Sequence, residues 1–185
     1  MRQSIENFCM TMFKIANPEH FMRAMIRTIA KENKKDLVGC EIGVSRGENS
    51  KRLLKTLSIK KLYLVDPWIE YEEDNVKVSY ENCEKIARKR LKPWSDKVVI
   101  IKGYSIGVAK HIPNNLDFVY IDGNHQYEYV KQDIELYYPK VKKGGIIGGD
   151  DFCGNQIGVI RAVLEFVDKN NLKLHSRIND WWIVK

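Results

Sequence analysis

No stretch of this 185-residue chain approaches the roughly 18 consecutive apolar residues that a membrane-spanning helix needs, so a membrane location is not expected. The opening segment is interrupted by Glu6 and Lys14, which argues against a secretory signal. Cysteine is sparse and unpaired: Cys9, Cys40, Cys83 and Cys153 form no CxxC motif. That speaks against the commonest zinc and redox frameworks and fits a reduced, cytoplasmic protein whose cysteines serve as small buried hydrophobes. The chain also lacks GxGxxG, the fingerprint of nicotinamide-binding domains, and shows no internal repeat, low-complexity tract or interdomain linker. Its length suits one domain, and a second catalytic one is not expected within it. Net charge is +7, which permits an anionic partner. The basic residues are scattered, as at Lys34-Lys35, Lys60-Lys61, Arg88-Lys89-Arg90 and Lys142-Lys143, so solvated surface charge is the favoured reading.

What is present, from Leu37 onward, is an alternation of strand and helix patterns. Leu37 to Ile42 has the pattern of a first strand, Asn49 to Leu57 of a helix with Leu53, Leu54 and Leu57 inward, and Lys61 to Val65 of a second strand. Val76, Tyr80, Cys83, Ala87 and Leu91 mark a helix that Pro93 stops, and Val98 to Ile101 a third strand. Leu116 to Ile121 is the fourth strand, followed by a helix through Tyr127, Val130, Ile134 and Tyr138 and by a fifth strand at Gly145 to Gly149. A last helix carries Ile160, Val163, Leu164 and Val167. Two short strands close the chain, Leu172 to Ile178 and Trp181 to Val184, with Asn179-Asp180 as a tight antiparallel turn. The expected fold is α/β: a Rossmann-like, doubly wound, mostly parallel seven-stranded sheet with a C-terminal antiparallel hairpin.

Two further helices precede this domain. Ile5, Phe8, Cys9, Met12 and Phe13 recur at helical spacing, and Phe21, Met22, Met25, Ile26 and Ile29 share one face of a second helix. All five methionines fall in this segment, and such faces repack readily around irregular ligands. Residues 1–35 are therefore read as a helical extension, either a lid or homo-oligomer contact or a pair of helices packed on the edge of the domain at 36–185.

The chemistry concentrates at the strand ends. Glu41-Ile42-Gly43-Val44-Ser45-Arg46-Gly47 follows an apolar strand and precedes a helix, where glycines let the backbone approach a ligand and the helix start offers free N–H groups to an anion. Asp66 ends the second strand about 20 residues later, where dinucleotide folds place the acid that binds ribose hydroxyls. Further on stand LDFVYID (Leu116 to Asp122), then Gly123-Asn124-His125-Gln126-Tyr127, then Gly144 to Asp151 (GGIIGGDD). Loops after the carboxyl ends of parallel strands share one crevice, so Asp122, Asp150 and Asp151 are expected to converge; three acids together repel without a cation, and oxygen ligands favour Mg²⁺, with Ca²⁺ or Mn²⁺ as substitutes.

In order and spacing these four motifs resemble class I S-adenosylmethionine-dependent methyltransferases, in particular a small group reading IDGxHxY and then GGxxxxxD that is related to sugar and macrolide O-methyltransferases. The resemblance covers Val38 to the C-terminus. It implies that Gly43 and Gly47 lie against the methionine part of S-adenosylmethionine, that Glu41 meets its amino group and Asp66 its ribose, and that Trp68 and Ser105 stand near adenine. It also carries a metal-binding role to Asp122, Asp150 and Asp151. Histidine is the residue type whose free side chain changes charge near neutrality, so His125, with Asp122, is the candidate to accept a substrate proton; orienting a ligand or contacting the cofactor are its quieter alternatives. Gly148 and Gly149, small for a buried strand, are expected to leave room for substrate. The expected function is metal-assisted O-methylation of a small-molecule or sugar hydroxyl. A nucleic-acid methyltransferase is the alternative, disfavoured by the lack of an Asn-Pro-Pro-Tyr type motif, and a non-catalytic cofactor-binding protein is another.

Overall fold

Runs that are apolar on both sides, such as Leu116–Ile121, mark strands covered on both faces, and seven strands form one sheet. The computed structural model describes residues 23–73, 76–78 and 80–185, so the expected helix at Ile5 to Phe13 lies outside the described residues, as do Phe21 and Met22. Helix α1 is Ala24–Lys31, β1 Leu37–Ile42, α2 Glu48–Thr56 and β2 Ile59–Asp66. A small hairpin follows, β3 Tyr71–Glu73 and β4 Val76–Val78, then α3 Cys83–Leu91 and β5 Val98–Lys102. Next come α4 Ser105–Val108, β6 Leu116–Ile121, α5 Tyr127–Tyr137 and β7 Val141–Gly149. Helix α6 Ile157–Lys169 and the hairpin β8 Leu174–Arg177 and β9 Asp180–Val184 complete the chain. The sheet order is β5-β2-β1-β6-β7-β9-β8. Strands β5 to β7 of that order pair in parallel, and β9 joins β7 antiparallel with Gly149 opposite Trp181.

Alternation along each strand builds two cores. Leu62, Leu64, Phe118, Tyr120 and Ile146 face one side, where Met25 and Ile29 of α1, Leu53 of α2 and Leu91 of α3 cover them. Cys40, Ile42, Val65, Val119, Ile121 and Ile147 face the other, under Val130 and Ile134 of α5 and Val163 of α6. The period-2 side-chain alternation of a strand thus meets the period-3.6 stripes of helices on both faces. Among the described residues no helix is long and apolar enough to cross a membrane.

Helix α1 is tied down at its start by a residue from the far end of the chain. Arg23, its N-cap, makes no capping bond of its own; instead the backbone N–H of Met25 donates to Asp180 Oδ2 at 2.9 Å. Asp180 is buried and also accepts from the Tyr120 hydroxyl at 3.1 Å. A carboxylate at a helix start satisfies an orphan N–H and meets the positive end of the dipole. Over Ala24–Lys31 the apolar face therefore packs on the sheet.

Three sequence expectations are corrected. Val76 belongs to the β3–β4 hairpin and the helix starts only at Cys83: β-branched Val76 and Val78 suit extended backbone, and Asn82 at φ 61° breaks the helical run before Cys83. The terminal turn is Ile178-Asn179, with Arg177 paired to Asp180, because Asp180 is drawn into the core as the cap of α1. Gly148 and Gly149 leave no room for substrate. A Cβ at Gly148 would meet the Trp181 carbonyl at 2.1 Å, and one at Gly149 the Ile121 carbonyl at 2.0 Å. Their smallness serves close strand packing.

Candidate active site

Strand order reverses between β1 and β6: from β1 the chain passes to α2 on one face, and from β6 to α5 on the other. A crevice opens at such a switch point, and two loops line it here. Gly43, at φ +84°, presses against the second loop so closely that a Cβ would lie 1.9 Å from the Asp122 carbonyl oxygen. Only glycine meets both demands. The pair is fixed by Gly43 N–H donating to Val65 O at 2.9 Å and Asp122 N–H to Ile42 O at 2.8 Å.

Asp66 holds the first loop. Its Oδ2 accepts from the backbone N–H of Val44 and of Ser45, each at 2.8 Å, and its Oδ1 from that of Trp68 at 2.7 Å. Burial pushes its carboxyl up, against the pull of these three donors. The Trp68 indole N–H donates to Ser45 O at 2.8 Å, so Trp68 clamps the loop from its outer side. Glu41 sits behind α2, fully buried, accepting from Asn49 Nδ2 at 3.0 Å and from the Ser50 hydroxyl. Burial pushes it up to about 8, with the two hydrogen bonds opposing.

Across the crevice the acids sort into two groups. Asp122, His125 and Asp151 bring one ligand atom each to within 4.8 Å of one another. His125 Nε2 lies 3.0 Å from Asp151 Oδ2 and 4.0 Å from Asp122 Oδ1, and the imidazole holds the Asp151 carboxyl below the usual range. Asp150 turns to the Arg23 guanidinium, which also stands 3.6 Å from Asp180 Oδ1 and 3.7 Å from Asp122 Oδ2. The positive charge expected to reconcile the acids is thus supplied in part by the protein itself.

Two cavities meet at Gly43 and Gly123. The wider, about 450 Å³, is lined by Arg23, Ser45, Asn49, Asp122 and His125 among others. The narrower, about 110 Å³, has Asp66, Ser105 and Asp133 along it and Tyr104 and Tyr129 at its margin. Asp133 is buried on α5 and pushed up to about 7 by desolvation, opposed by a hydrogen bond with Ser105.

Of the residues expected from sequence, Gly43, Asp122 and His125 line the wider cavity, and Asp66 and Ser105 the narrower. Gly47 is the N-cap of α2 at φ +73°. Glu41 is screened by Asn49 and Ser50, and Trp68 faces the loop. Sequence reading missed Arg23, Asn49, Asp133 and Asp180. One signal was available: Asp133 falls on the stripe of Val130, Ile134 and Tyr137, and a carboxyl on the apolar side of a helix needs a reason.

Comparison with known proteins agrees with this architecture. Uncharacterized protein R132 of Acanthamoeba polyphaga mimivirus is 34% identical over 139 residues, 72% of this chain; the chain spans 58% of that relative's length. Among solved structures, the O-methyltransferase NovP superposes with a TM-score of 0.66 at 19% identity, over 86% of this chain and 77% of its own. An O-methyltransferase from Bacillus cereus in complex with SAH gives 0.63 at 14% identity, over 86% and 78%. MycE methyltransferase of the mycinamycin biosynthetic pathway, in complex with Mg and SAH, gives 0.57 at 16% identity, over 86% and 47%. These likenesses establish the fold. A family described as a methyltransferase domain matches residues 40–152, which contain the Gly43 loop, Asp66, Asp122, His125 and both Asp150 and Asp151, and the chain belongs to that family.

Proposed function

We propose that this chain is an S-adenosylmethionine-dependent O-methyltransferase acting on a hydroxyl of a small molecule or sugar. The observation that carries the reading is the meeting, at one switch point, of a backbone loop fixed by Asp66 with the cluster Asp122, His125 and Asp151. When bound, S-adenosylmethionine supplies an electrophilic methyl group. The protein has to place an oxygen nucleophile in line with it and take away the proton.

The residues divide those tasks. The Gly43–Ser45 backbone, held by Asp66 and Trp68, is a rigid wall for an extended ligand, and Asp66 and Ser105 offer oxygens along the narrower cavity. His125, in the wall of the wider cavity, accepts the acceptor's proton; Asp151, 3.0 Å away, stabilises the imidazolium and Asp122 stands on its other side. A second reading is favoured by the convergence of donor atoms within 4.8 Å: Asp122, His125 and Asp151 would hold a divalent cation. Such an ion would lower the pKa of an acceptor hydroxyl. Both readings serve the same reaction, and NovP and MycE are methyltransferases by name on the same fold.

The test is calorimetric titration with S-adenosylhomocysteine and with NAD, then transfer of a labelled methyl group to a panel of hydroxylated small molecules. Binding of S-adenosylhomocysteine, and transfer abolished by His125→Ala with binding retained, is the expected result. No binding, or preference for NAD, overturns the assignment.

A further inference from the structure

Asp133 is the buried acid that no step above uses. Only 4% of it is exposed, it sits on α5 one turn after Tyr129, and it lines the narrower cavity together with Ile42, Val65, Asp66 and Ser105. Ser105 gives its carboxyl one hydrogen bond, yet Oδ1 is buried with no partner. Leaving a buried acceptor unsatisfied costs on the order of 1–3 kcal/mol, so native structures rarely do it without a reason.

The surroundings say what kind of partner is missing. The cavity walls are apolar, from Ile42 and Val65, and its margin carries Ile69, Tyr104 and Tyr129, which are among the few large apolar side chains left exposed on the described surface. Exposed aromatic and aliphatic groups around a slot suit a flat ring that covers them on binding. Gly123 stands beside the Asp133 carboxyl, where a Cβ would touch Oδ2 at 3.8 Å. At the other end of the same slot are Gly43 and Asp66, the acid read above as the ribose partner. A nucleoside whose sugar lies at Asp66 directs its base toward Ser105 and Asp133.

We infer that Asp133 is a specificity-determining residue of the cofactor site, accepting a hydrogen bond from the exocyclic amino group of adenine with its carboxylate and rejecting bases that present a carbonyl there. This rests on the assignment of S-adenosylmethionine as cofactor. The physical basis is asymmetric: above the pH of about 7 to which burial pushes Asp133, its carboxylate can only accept, and a ligand lacking the N–H then sets a lone pair against a lone pair in a dry pocket.

The experiment compares S-adenosylhomocysteine with its 6-deaminated analogue, S-inosylhomocysteine, by calorimetry against the wild type, Asp133→Asn and Asp133→Leu, with thermal melting to confirm that each is folded. The wild type should bind the adenosyl form at least tenfold more tightly. Asp133→Leu should lose that preference and weaken S-adenosylhomocysteine at least tenfold. Asp133→Asn, nearly isosteric and able to turn its amide either way, should keep adenosyl binding within a few-fold while narrowing the discrimination. Equal binding of the two nucleosides by the wild type, or an unchanged preference in folded Asp133→Asn and Asp133→Leu, overturns the inference and leaves the cofactor assignment standing. Binding of neither nucleoside by the wild type overturns both.

Discussion

The guanidinium of Arg23, at the start of α1, contacts the carboxylate of Asp150, at the end of β7, and lies within 3.7 Å of Asp122 and Asp180 as well. One cation therefore joins helix α1 to the floor of the candidate active site. Arg23 is 23% exposed and Asp150 11%, so the contact is only partly screened by water.

Replacing Arg23 with Met keeps an unbranched apolar stem and removes the charge, leaving Asp150 and buried Asp180 uncompensated. A loss of about 1–3 kcal/mol is expected, below the largest values for fully buried pairs. Chemical denaturation measures it. The double variant Arg23→Met with Asp150→Asn should recover part of the loss, and purely additive costs would show that the two residues are not coupled.

Glu41 and Asp133 make stability fall as pH rises. Glu41 ordinarily titrates at 4.5, and burial raises it to about 8; Asp133 moves from 3.8 to about 7. Between those values the native state holds protons that the unfolded chain has released, so raising pH favours unfolding. The contribution is full below the unfolded values and is lost as pH passes through about 7 and about 8. Melting temperature should therefore decline from mildly acidic to mildly alkaline solution. Glu41→Gln, which keeps the hydrogen-bonding shape without an ionisable proton, should flatten that decline. A wild-type profile rising over the same window would show that other groups dominate.

Gly43→Ala should be among the most damaging single changes in the site. It adds a Cβ 1.9 Å from a backbone carbonyl at a residue whose φ is +84°, so either the Gly43 loop or the Asp122 loop has to move. A cost of about 2 kcal/mol or more is expected, with loss of S-adenosylhomocysteine binding. Gly107→Ala is the control, because nothing lies within 4 Å of its added Cβ. Equal melting temperatures for the two variants would contradict the packing described here.

Periodicity and spacing made the sheet legible. Leu116–Ile121 carries its residues alternately to two faces, and the acids at Asp66 and Asp122 end their strands because an open parallel sheet gathers polar groups at its carboxyl edge. What stayed hidden depends on distance along the chain. Asp180 looked like a turn residue from its neighbours; its role as the cap of α1 comes from Met25, 155 residues away. Arg23 carries no motif, and its contacts with Asp122, Asp150 and Asp180 exist only once α1 packs beside β9 and β7. Val76 was misread because a helical period can be drawn through a hairpin when the break at Asn82 is ignored.

The separation of Asp150 from Asp122, His125 and Asp151 gives the last prediction. If the latter three hold a divalent cation, Mn²⁺ should bind at one site, and its electron paramagnetic resonance signal should report the loss of free ion on titration. Asp151→Asn and Asp122→Asn should each weaken that binding by tenfold or more, because each removes a charged oxygen donor. Asp150→Asn should weaken it far less, since its carboxylate is engaged by Arg23. Arg23→Met should tighten it by removing a competing positive charge 3.7 Å from Asp122. Methyl transfer in excess chelator then decides between the two readings of the cluster. Activity lost with the metal and restored by Mg²⁺ favours the metal-assisted one, whereas full activity in chelator, still abolished by His125→Ala, leaves proton transfer to His125 and Asp151 alone. Equal Mn²⁺ binding by the wild type and Asp151→Asn would remove Asp151 from any metal site.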